Sequence, residues 1–359
     1  MEVVVFNVGQ GDSILLRPAN HCVHSETPFL IDCGPQRAKV SDRLGPEKHN
    51  LLLTHSHHDH IGGFPKIYRE KSIESLMLPF YMPEIMSIAK FLGRKIPNKY
   101  GSLDWRKVKK VKNLYLVVEG DSLCGHIDIL NPPLQPRDYF SLYLNEDANL
   151  ERSLGILNDY GFDLPIDEII NYESPLDRDS IRTQGELGEL EEREYLVREF
   201  VHLFFITLSQ RLAGNDISSA SYYSTTHMEM TANQASIVFK YKHRNGDWLF
   251  TGDADQYVFD RLIKSSTDIT AKYLKVPHHG SRENLTASIL ETINPEVAII
   301  SHDNRKFGRS RDPHPHHEVI DILDTQGVRS YYTNEVKKGS AIVKPSTVGG
   351  TENGCLFFR

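Results

Sequence analysis

The stretch Leu51–Gly63, with the sequence LLLTHSHHDHIGG, constrains the fold of this chain more than any other part of it. Its three leucines predict a buried strand, and its two final glycines let the chain turn tightly afterwards. Four of the residues between them are the candidate metal ligands: His55, His57, Asp59 and His60. In layered α/β proteins, the loop after the carboxyl end of a strand is the usual place for a site. The stretch therefore predicts a functional site at the edge of a sheet.

The residue types in this loop favour a divalent metal ion. Neutral imidazoles and a carboxylate suit zinc, and also manganese or iron. In an extended segment, alternation lets His55 and His57 point the same way, toward one ion. Asp59 and His60 follow the bend and can face a second ion. The alternative is a chance group of histidines on a solvated loop.

Three later buried strands also end in ligand-type residues. Asp253 follows 249–252, the pair His278 and His279 follows 274–277, and His302 follows 297–301. A single carboxylate can bridge two ions, and Asp253 is the candidate for that position. His302 is a weaker candidate, because a histidine in such a place is more often part of an ordinary loop.

The adjacent histidines have different predicted roles. We expect His278 to complete the site on the ion held by Asp59 and His60. His279 would then be free to contact a phosphate or to donate a proton, which makes Asp59 and His279 the predicted catalytic residues. The two histidines can also exchange roles, or His279 can be a structural residue bonded to backbone. A further carboxylate, Asp32, is either a turn residue or an acceptor for a histidine that binds metal.

Composition and charge set limits on the function. A net charge of −7 over 359 residues argues against a generally basic nucleic-acid binder, although bound metal ions would add local positive charge. The cysteines form no CxxC pair, which argues against a zinc ribbon or a redox motif. We expect no signal peptide and no membrane span, and we predict a cytoplasmic location.

The pattern of the chain predicts an insertion within one core fold. Residues 1–133 and 227–359 alternate buried strands with helical patterns, whereas 134–226 is rich in carboxylates. Apolar residues recur at helical spacing from Gly188 to Leu212 within that span. We interpret 134–226 as a largely helical, acidic insertion. Its acidic residues form a solvated face, or the insertion is a lid or a surface for a protein partner.

Ordered motifs connect the chain to a known family. HSHHDH resembles the HxHxDH motif of the metallo-β-lactamase superfamily. The segments NVGQGDS, LIDCG, LFTGD and KVPHHGS resemble the hydrolase domain of ComEC-type competence proteins, and the phosphorylcholine esterase branch is also similar. The resemblance covers residues 1 to 133 and 231 to 344. It implies an α/β fold, a four-layer αββα sandwich, with two divalent metal ions, zinc or manganese.

The chain departs from the superfamily pattern at the third motif. The place of a histidine that often ligates the first ion is taken by Asn131, and the related branch often lacks this histidine too. Asn131, Asn233, His227 or water can fill the gap. Asn233 begins NQAS, which resembles the NxxS that precedes the TGD strand in that branch. The segment HPHHEV, from 314 to 319, has His317 where the relatives usually have a second proline.

The resemblance implies a metal-dependent phosphodiesterase or nuclease. Two ions that share a water molecule can supply hydroxide near neutral pH, and they can neutralise charge on phosphorus. Nucleic acid or another phosphodiester is the expected substrate. The alternatives are hydrolysis of a small phosphocholine ester, lactone or thioester, and a hydrolase subunit activated by a partner. A basic group can hold phosphates or be a solvated loop: Arg305, Lys306, Arg309 and Arg311, beside Phe307.

Overall fold

The fold is known from a computed structural model that describes most of the chain. The described residues are 2–17, 27–93, 103–141, 143–145, 149–181, 190–303, 313–338, 341–346 and 355–358. The predicted basic group at Arg305, Lys306, Phe307, Arg309 and Arg311 lies outside them, as does Gly188.

One seven-stranded sheet is built mainly from the first part of the chain. Its strands are β1 (Glu2–Val5), β2 (Ile14–Arg17), β3 (Phe29–Ile31), β4 (His49–Leu52), β5 (Ile73–Pro79), β6 (Asn113–Val117) and β16 (Leu356–Phe358). Their spatial order is β16-β1-β2-β3-β4-β5-β6. The strands from β3 to β6 are parallel, with Ile31 paired to Leu52, so their carboxyl ends meet at one edge.

The second sheet also has seven strands. Its strands are β7 (Ser122–Leu123), β8 (Ile127–Asn131), β9 (Val238–Tyr241), β10 (Trp248–Phe250), β11 (Tyr273–Lys275), β12 (Val297–Ile300) and β13 (Arg329–Tyr332). The order is β13-β12-β11-β10-β9-β8-β7, and β10 to β13 are parallel. A separate hairpin joins β14 (Val336–Lys338) to β15 (Ala341–Val343).

The helices cover the outer faces of the two sheets. They are α1 (His58–Ile61), α2 (Phe64–Glu70), α3 (Met82–Leu92), α4 (Trp105–Val108), α5 (Arg137–Phe140), α6 (Leu150–Asp159), α7 (Ile166–Ile170), α8 (Leu190–Leu212), α9 (Ala220–Gln234), α10 (Gln256–Lys264), α11 (Ala287–Ile293) and α12 (His317–Thr325).

Three apolar layers hold these elements together. The layer between the sheets contains inward-facing residues of both, such as Leu16 and Trp248. A second layer packs α10, α11 and α12 on the outer face of the second sheet. The third joins the outer face of the first sheet to α2, α3 and the helices of the insertion. This arrangement confirms the predicted four-layer αββα sandwich with a largely helical insertion.

The insertion shares its core with the first half of the fold. Phe200 of α8 stacks on Tyr81 at a ring-centroid distance of 4.2 Å. Arg193 of the same helix lies 3.5 Å from the buried carboxylate of Glu84 in α3. Helix α9 runs through the predicted boundary at 226–227 without a break, so the helical unit that we call the insertion below includes all of α9, to Gln234. The insertion is therefore joined to the core fold by packing as well as by the chain.

The described helices differ from membrane-spanning segments. None of them combines the length and the apolar character that a crossing of the bilayer requires. The cytoplasmic location stays a prediction.

Candidate metal centre

The candidate site lies where strands of both sheets end. His55, His57, Asp59 and His60 follow β4, as the sequence predicts, and α1 begins inside the motif at His58. Asp253 follows β10, and a 3-10 turn at Pro277–Gly280 follows β11. A hydrogen bond of 2.9 Å from Ile237 N to Thr54 O joins the two sheets beside the site. The fold thus brings distant parts of the sequence to one edge.

His55 and His57 point at the same place. Nε2 of His55 and Nδ1 of His57 are 3.1 Å apart, and both side chains are largely shielded from solvent. Burial lowers the pKa of His55 well below its usual value and that of His57 to about 4. Both rings are therefore neutral at neutral pH, which is the form that ligates metal. The pairing of the two residues on one ion stays a prediction, and the short distance between their nitrogens is compatible with it.

Asp253 lies between two groups of ligand-type side chains. One carboxylate oxygen is 3.5 Å from His55 Nε2, and the other is 3.3 Å from His60 Nε2. Burial raises the pKa of Asp253, but the surrounding histidines outweigh it and hold the pKa well below the usual value. An ionised carboxylate in this place can serve two ions at once, as predicted for a bridging residue.

A second group consists of Asp59, His60 and His279. One ligand atom from each lies within 4.8 Å of the others. Nε2 of His279 is 3.5 Å from Asp59 Oδ2 and 3.8 Å from Asp253 Oδ2. Two imidazoles and one carboxylate around a common centre form a donor set that suits zinc or manganese.

The far sides of these histidines are fixed by hydrogen bonds. His60 Nδ1 donates to Asp32 Oδ2 at 2.7 Å, and Asp32 also accepts from the backbone and hydroxyl of Thr54. His279 Nδ1 donates to the carbonyl oxygen of Ser301 at 3.0 Å. Such outer hydrogen bonds orient ligating imidazoles and increase their basicity. Of the two interpretations of Asp32, the geometry favours an acceptor for a histidine of the site.

The residues present fit a metal ion. Nε2 of His60, Oδ1 of Asp253 and Nε2 of His279 are buried and make no hydrogen bond to any described residue, although the first two atoms are 3.3 Å apart. Buried polar atoms usually have partners, and a group of them that faces one centre needs a ligand. Burial lowers the pKa of His60, but Asp253 and Asp32 outweigh it and raise that pKa well above the usual value. The carboxylates around His60 thus favour a positive charge at this place, and a bound metal ion would displace the proton of the ring.

The two adjacent histidines occupy different places. His279 is fully buried with the second group, whereas the side chain of His278 is 29% exposed at the pocket wall. Nδ1 of His278 is 3.1 Å from Asn284 Oδ1, and its Nε2 is 3.7 Å from Asp253. Both histidines have left-handed backbone angles, with φ of 44° and 56°, and this turn directs the rings apart. The geometry places His279, rather than His278, with Asp59 and His60.

His302 lies away from the ligand groups. Its ring is buried and contacts Tyr332 at a centroid distance of 6.1 Å. Burial lowers its pKa to about 3. The structure does not bring His302 together with the six residues described above.

A cavity of about 410 Å³ opens onto the site. Its walls come from the loop that follows β4, which we call the metal loop, from the loops that follow β10 and β11 in the second sheet, and from α9. The lining residues are Pro35, Arg37, His57, His58, Asp59, Glu229, Asn233, Asp253, His278 and His314. Arg37, His58, Glu229 and His314 are additions to the predicted site. His58 lies inside HSHHDH and His314 begins HPHHEV, so the sequence carried a signal for these two residues, whereas the positions of Arg37 and Glu229 carry no distinguishing pattern.

A buried ion pair beneath the site was also missed. Lys275 Nζ lies 2.8 Å from Asp12 Oδ2, and both side chains are almost fully buried. Asp12 also accepts from the hydroxyl of Ser301 and lies 3.8 Å from His279 Nδ1. Both residues belong to motifs noted in the sequence, NVGQGDS and KVPHHGS, so the motifs carried a signal for them.

The NVGQGDS motif needs glycine at position 11 because the backbone there passes close to the loop after β4. The φ of Gly11 is +120°, and a Cβ there would be 2.1 Å from the carbonyl oxygen of Asp59. Only glycine allows the turn after β1 to pass this close to the metal loop. The NVGQGDS segment therefore supports the site through backbone proximity.

The fold and this geometry define a class of protein. Residues 6–119 match the family model for the metallo-beta-lactamase superfamily. Within those residues the chain is similar to that superfamily, in agreement with the resemblance of its sequence motifs. This superfamily is generally hydrolytic and usually binds divalent metal ions.

Known proteins give two further similarities. The chain is 28% identical over 103 residues to ComE operon protein 3 of Bacillus subtilis (strain 168). That match covers 29% of this chain but only 13% of the relative. Among solved structures, a mutant of CmlA beta-hydroxylase is similar with a TM-score of 0.39 and 11% sequence identity, over 92% of this chain and 52% of the other.

Proposed function

We propose that this protein is a metal-dependent hydrolase that acts on phosphodiesters, with DNA or RNA as its preferred substrate. The observation that supports this is the buried group of histidines and carboxylates at the floor of the 410 Å³ cavity. The resemblance of the sequence motifs to ComEC-type hydrolase domains favours phosphodiesters over other substrates.

Six residues would hold two divalent ions, zinc or manganese. His55 and His57 face the first ion, Asp59, His60 and His279 the second, and Asp253 lies between them. When bound, such ions lower the pKa of water and stabilise negative charge on phosphate oxygens. This assignment exchanges the predicted roles of the adjacent histidines, because His279 is the one buried beside Asp59.

The wall of the cavity supplies groups for a phosphate. Arg37 is exposed at the cavity and can pair with phosphate oxygens through its guanidinium group. His278 and His314, with ring centroids 5.4 Å apart, also line the cavity. In this proposal His278 takes the role first given to His279: it contacts the phosphate or donates a proton to the leaving group.

A small ester is the second candidate substrate. A cavity of about 410 Å³ is within the usual range for sites that hold one small molecule. A phosphocholine ester would place its phosphate at the same histidines and carboxylates. Activation by a protein partner that binds the 134–226 insertion stays a prediction.

A substrate panel tests the proposal. Purified protein would be incubated with manganese, zinc or magnesium on single-stranded DNA, duplex DNA, RNA and bis-p-nitrophenyl phosphate. The ligand variant Asp253→Ala should lose the activity, whereas Asp260→Ala, which changes an exposed carboxylate on α10, should keep it. Cleavage of the small diester alone would favour the second candidate. Absence of hydrolysis on all four substrates with every metal would contradict the proposal.

A further inference from the structure

The first of the two proposed ions has too few protein ligands. His55 and His57 each direct one nitrogen to it, and Asp253 adds a shared oxygen. The superfamily histidine of the third motif is replaced by Asn131 at the end of β8. From the sequence, Asn131, His227, Asn233 and water are all able to fill the vacant position. The structure separates these candidates by the bonds that each side chain already makes.

Asn131 is fully used in structural hydrogen bonds. Its amide nitrogen donates to the carbonyl oxygens of Gln234 at 2.8 Å and Ser236 at 2.7 Å. Its amide oxygen accepts from Arg261 at 2.8 Å. This network fixes the orientation of the amide, because arginine can only donate. Asn131 therefore holds the turn after α9 and has no ligand atom directed to the cavity.

His227 is used inside the insertion. Its Nε2 is 3.0 Å from Thr207 Oγ1, and its Nδ1 accepts from Arg211 at 3.2 Å. The ring packs against Phe204 at a centroid distance of 4.8 Å and does not line the cavity. Both nitrogens are engaged, so His227 is not available to an ion.

Asn233 differs from Asn131 and His227 in having a side-chain oxygen without a hydrogen-bond partner among the described residues. It lies in the last turn of α9, is only 8% exposed, and lines the cavity together with His57 and Asp253. Its Oδ1 is buried and makes no hydrogen bond to a described residue. A buried amide oxygen without a partner is uncommon, and Asn233 belongs to the lining of the same cavity as His57 and Asp253. The turn that carries Asn233 is the one that Asn131 holds through Gln234 and Ser236.

We propose that Oδ1 of Asn233 is the protein ligand that completes the first metal site in place of the third-motif histidine. This inference rests on the proposed two-ion site. The amide oxygen is a harder donor than the imidazole that it replaces, so the first site should bind manganese better, relative to zinc, than a three-histidine site does. It also means that the insertion, through α9, supplies a residue of the metal centre.

Metal binding by variants of full-length protein tests the inference. Manganese and zinc would be titrated calorimetrically into chelator-treated protein, and bound metal would be counted by elemental analysis. Asn233→Ala should weaken binding of one ion about tenfold or more and leave the other within about twofold. Asn233→Asp keeps the shape but supplies a charged oxygen, so it should tighten binding of that ion.

The adjacent residue gives a matched control. Gln234→Ala removes a buried amide of similar size, but that amide donates to Asp255 at 3.2 Å instead of facing the cavity. Metal binding should stay at the wild-type level in this variant. A purely structural role for Asn233 would predict that Ala and Asp both weaken binding, so opposite effects of the two substitutions identify a ligand.

Each outcome has a distinct meaning. If wild-type protein binds two ions and both Asn233 variants bind them as wild type does, the inference is wrong and the proposed function stands. If wild-type protein binds no divalent ion, the proposed function fails and the inference fails with it. Circular dichroism checks the fold of each variant. If Asn233→Ala is unfolded, the test depends on Asn233→Asp alone. Weaker metal binding by Asn233→Asp than by the wild type would then overturn the inference.

Discussion

Buried histidines occur in two regions of this molecule, and their surroundings differ. At the strand ends, His55, His60 and His279 lie within 3.8 Å of carboxylate oxygens. In the insertion, His227 is as deeply buried, but its partners are the Thr207 hydroxyl and the Arg211 guanidinium. Burial alone therefore does not mark a metal ligand. What distinguishes the candidate metal centre is the presence of carboxylates beside its histidines.

The two regions also each contain a buried ion pair. Lys275 and Asp12 are 2.8 Å apart beneath the metal centre, and Arg193 and Glu84 are 3.5 Å apart between the insertion and α3. The first pair lies against His279, whereas the second is bordered by Ser174 and by the carbonyl oxygen of Leu176. We expect the first to affect metal binding and the second to affect only the stability of the insertion.

The largest expected effect is that of Asp253→Ala. Because Asp253 faces both groups of ligands, its loss should reduce bound divalent metal from two ions per chain to one or none. Any phosphodiesterase activity should fall by at least about 10²-fold, by analogy with the loss of one preorganised catalytic group. Elemental analysis and a rate assay would measure the two effects.

An exposed carboxylate on α10 provides the control. Asp260→Ala should retain both ions and wild-type rates, since Asp260 lies on the surface of that helix. If Asp253→Ala kept two ions with wild-type affinity, carboxylates would not be what distinguishes the strand-end histidines from His227.

The next effect concerns the buried ion pairs. Lys275→Met leaves the Asp12 carboxylate buried without its cation, which should lower the free energy of unfolding by about 3–5 kcal/mol. Burial raises the pKa of Asp12, and Lys275 and His279 outweigh that effect in the native protein. Urea unfolding would measure the loss, and metal titration should show weaker binding because His279 lies against Asp12.

Arg193→Met is the matched substitution in the other region. Its cost should be smaller, roughly 1–3 kcal/mol, because burial already raises the pKa of Glu84 and Ser174 still donates to that carboxylate. Metal content should not change. If Lys275→Met and Arg193→Met changed metal binding equally, the expectation that only the Lys275–Asp12 pair affects metal binding would be wrong.

The strand ends were the most predictable part of the chain. The sequence predicted strands that end shortly before His55, Asp253 and His302, and the structure has β4 to Leu52, β10 to Phe250 and β12 to Ile300. Short apolar runs bounded by Gly, Asp or His leave little freedom for the ends of a strand. The positions of His55, His57, Asp59, His60 and Asp253 followed from those ends.

Other features depend on tertiary contacts and were not predictable. The sequence of α9, rich in Ser, Thr and Tyr, has no clear apolar stripe, and the helix forms because it packs within the core of the insertion. The choice between His278 and His279 depends on two left-handed backbone conformations. Asn131 and Asn233 have the same side chain, and only their hydrogen bonds distinguish them.

The smallest expected effect is a pH dependence that originates in the insertion. Burial and the nearby Arg211 lower the pKa of His227 to about 3, whereas an unfolded chain has a histidine pKa of about 6.5. Below that higher value the unfolded state takes up a proton and the folded state does not. The stabilisation is therefore complete above about pH 6.5 and is lost progressively as the pH falls toward 3. At pH 5 the loss should be about 2 kcal/mol.

Substitution of His227 by Gln isolates this effect. The variant retains a polar side chain but has no group that titrates, and it shares every other ionisable group with the wild type. The difference in free energy of unfolding between the two proteins should therefore change by about 2 kcal/mol in favour of the variant between pH 7 and pH 5. Urea unfolding of chelator-treated protein at the two pH values would measure it. A difference that does not change with pH would mean that His227 titrates normally in the folded protein, and the contrast with the metal centre would then rest on carboxylates alone.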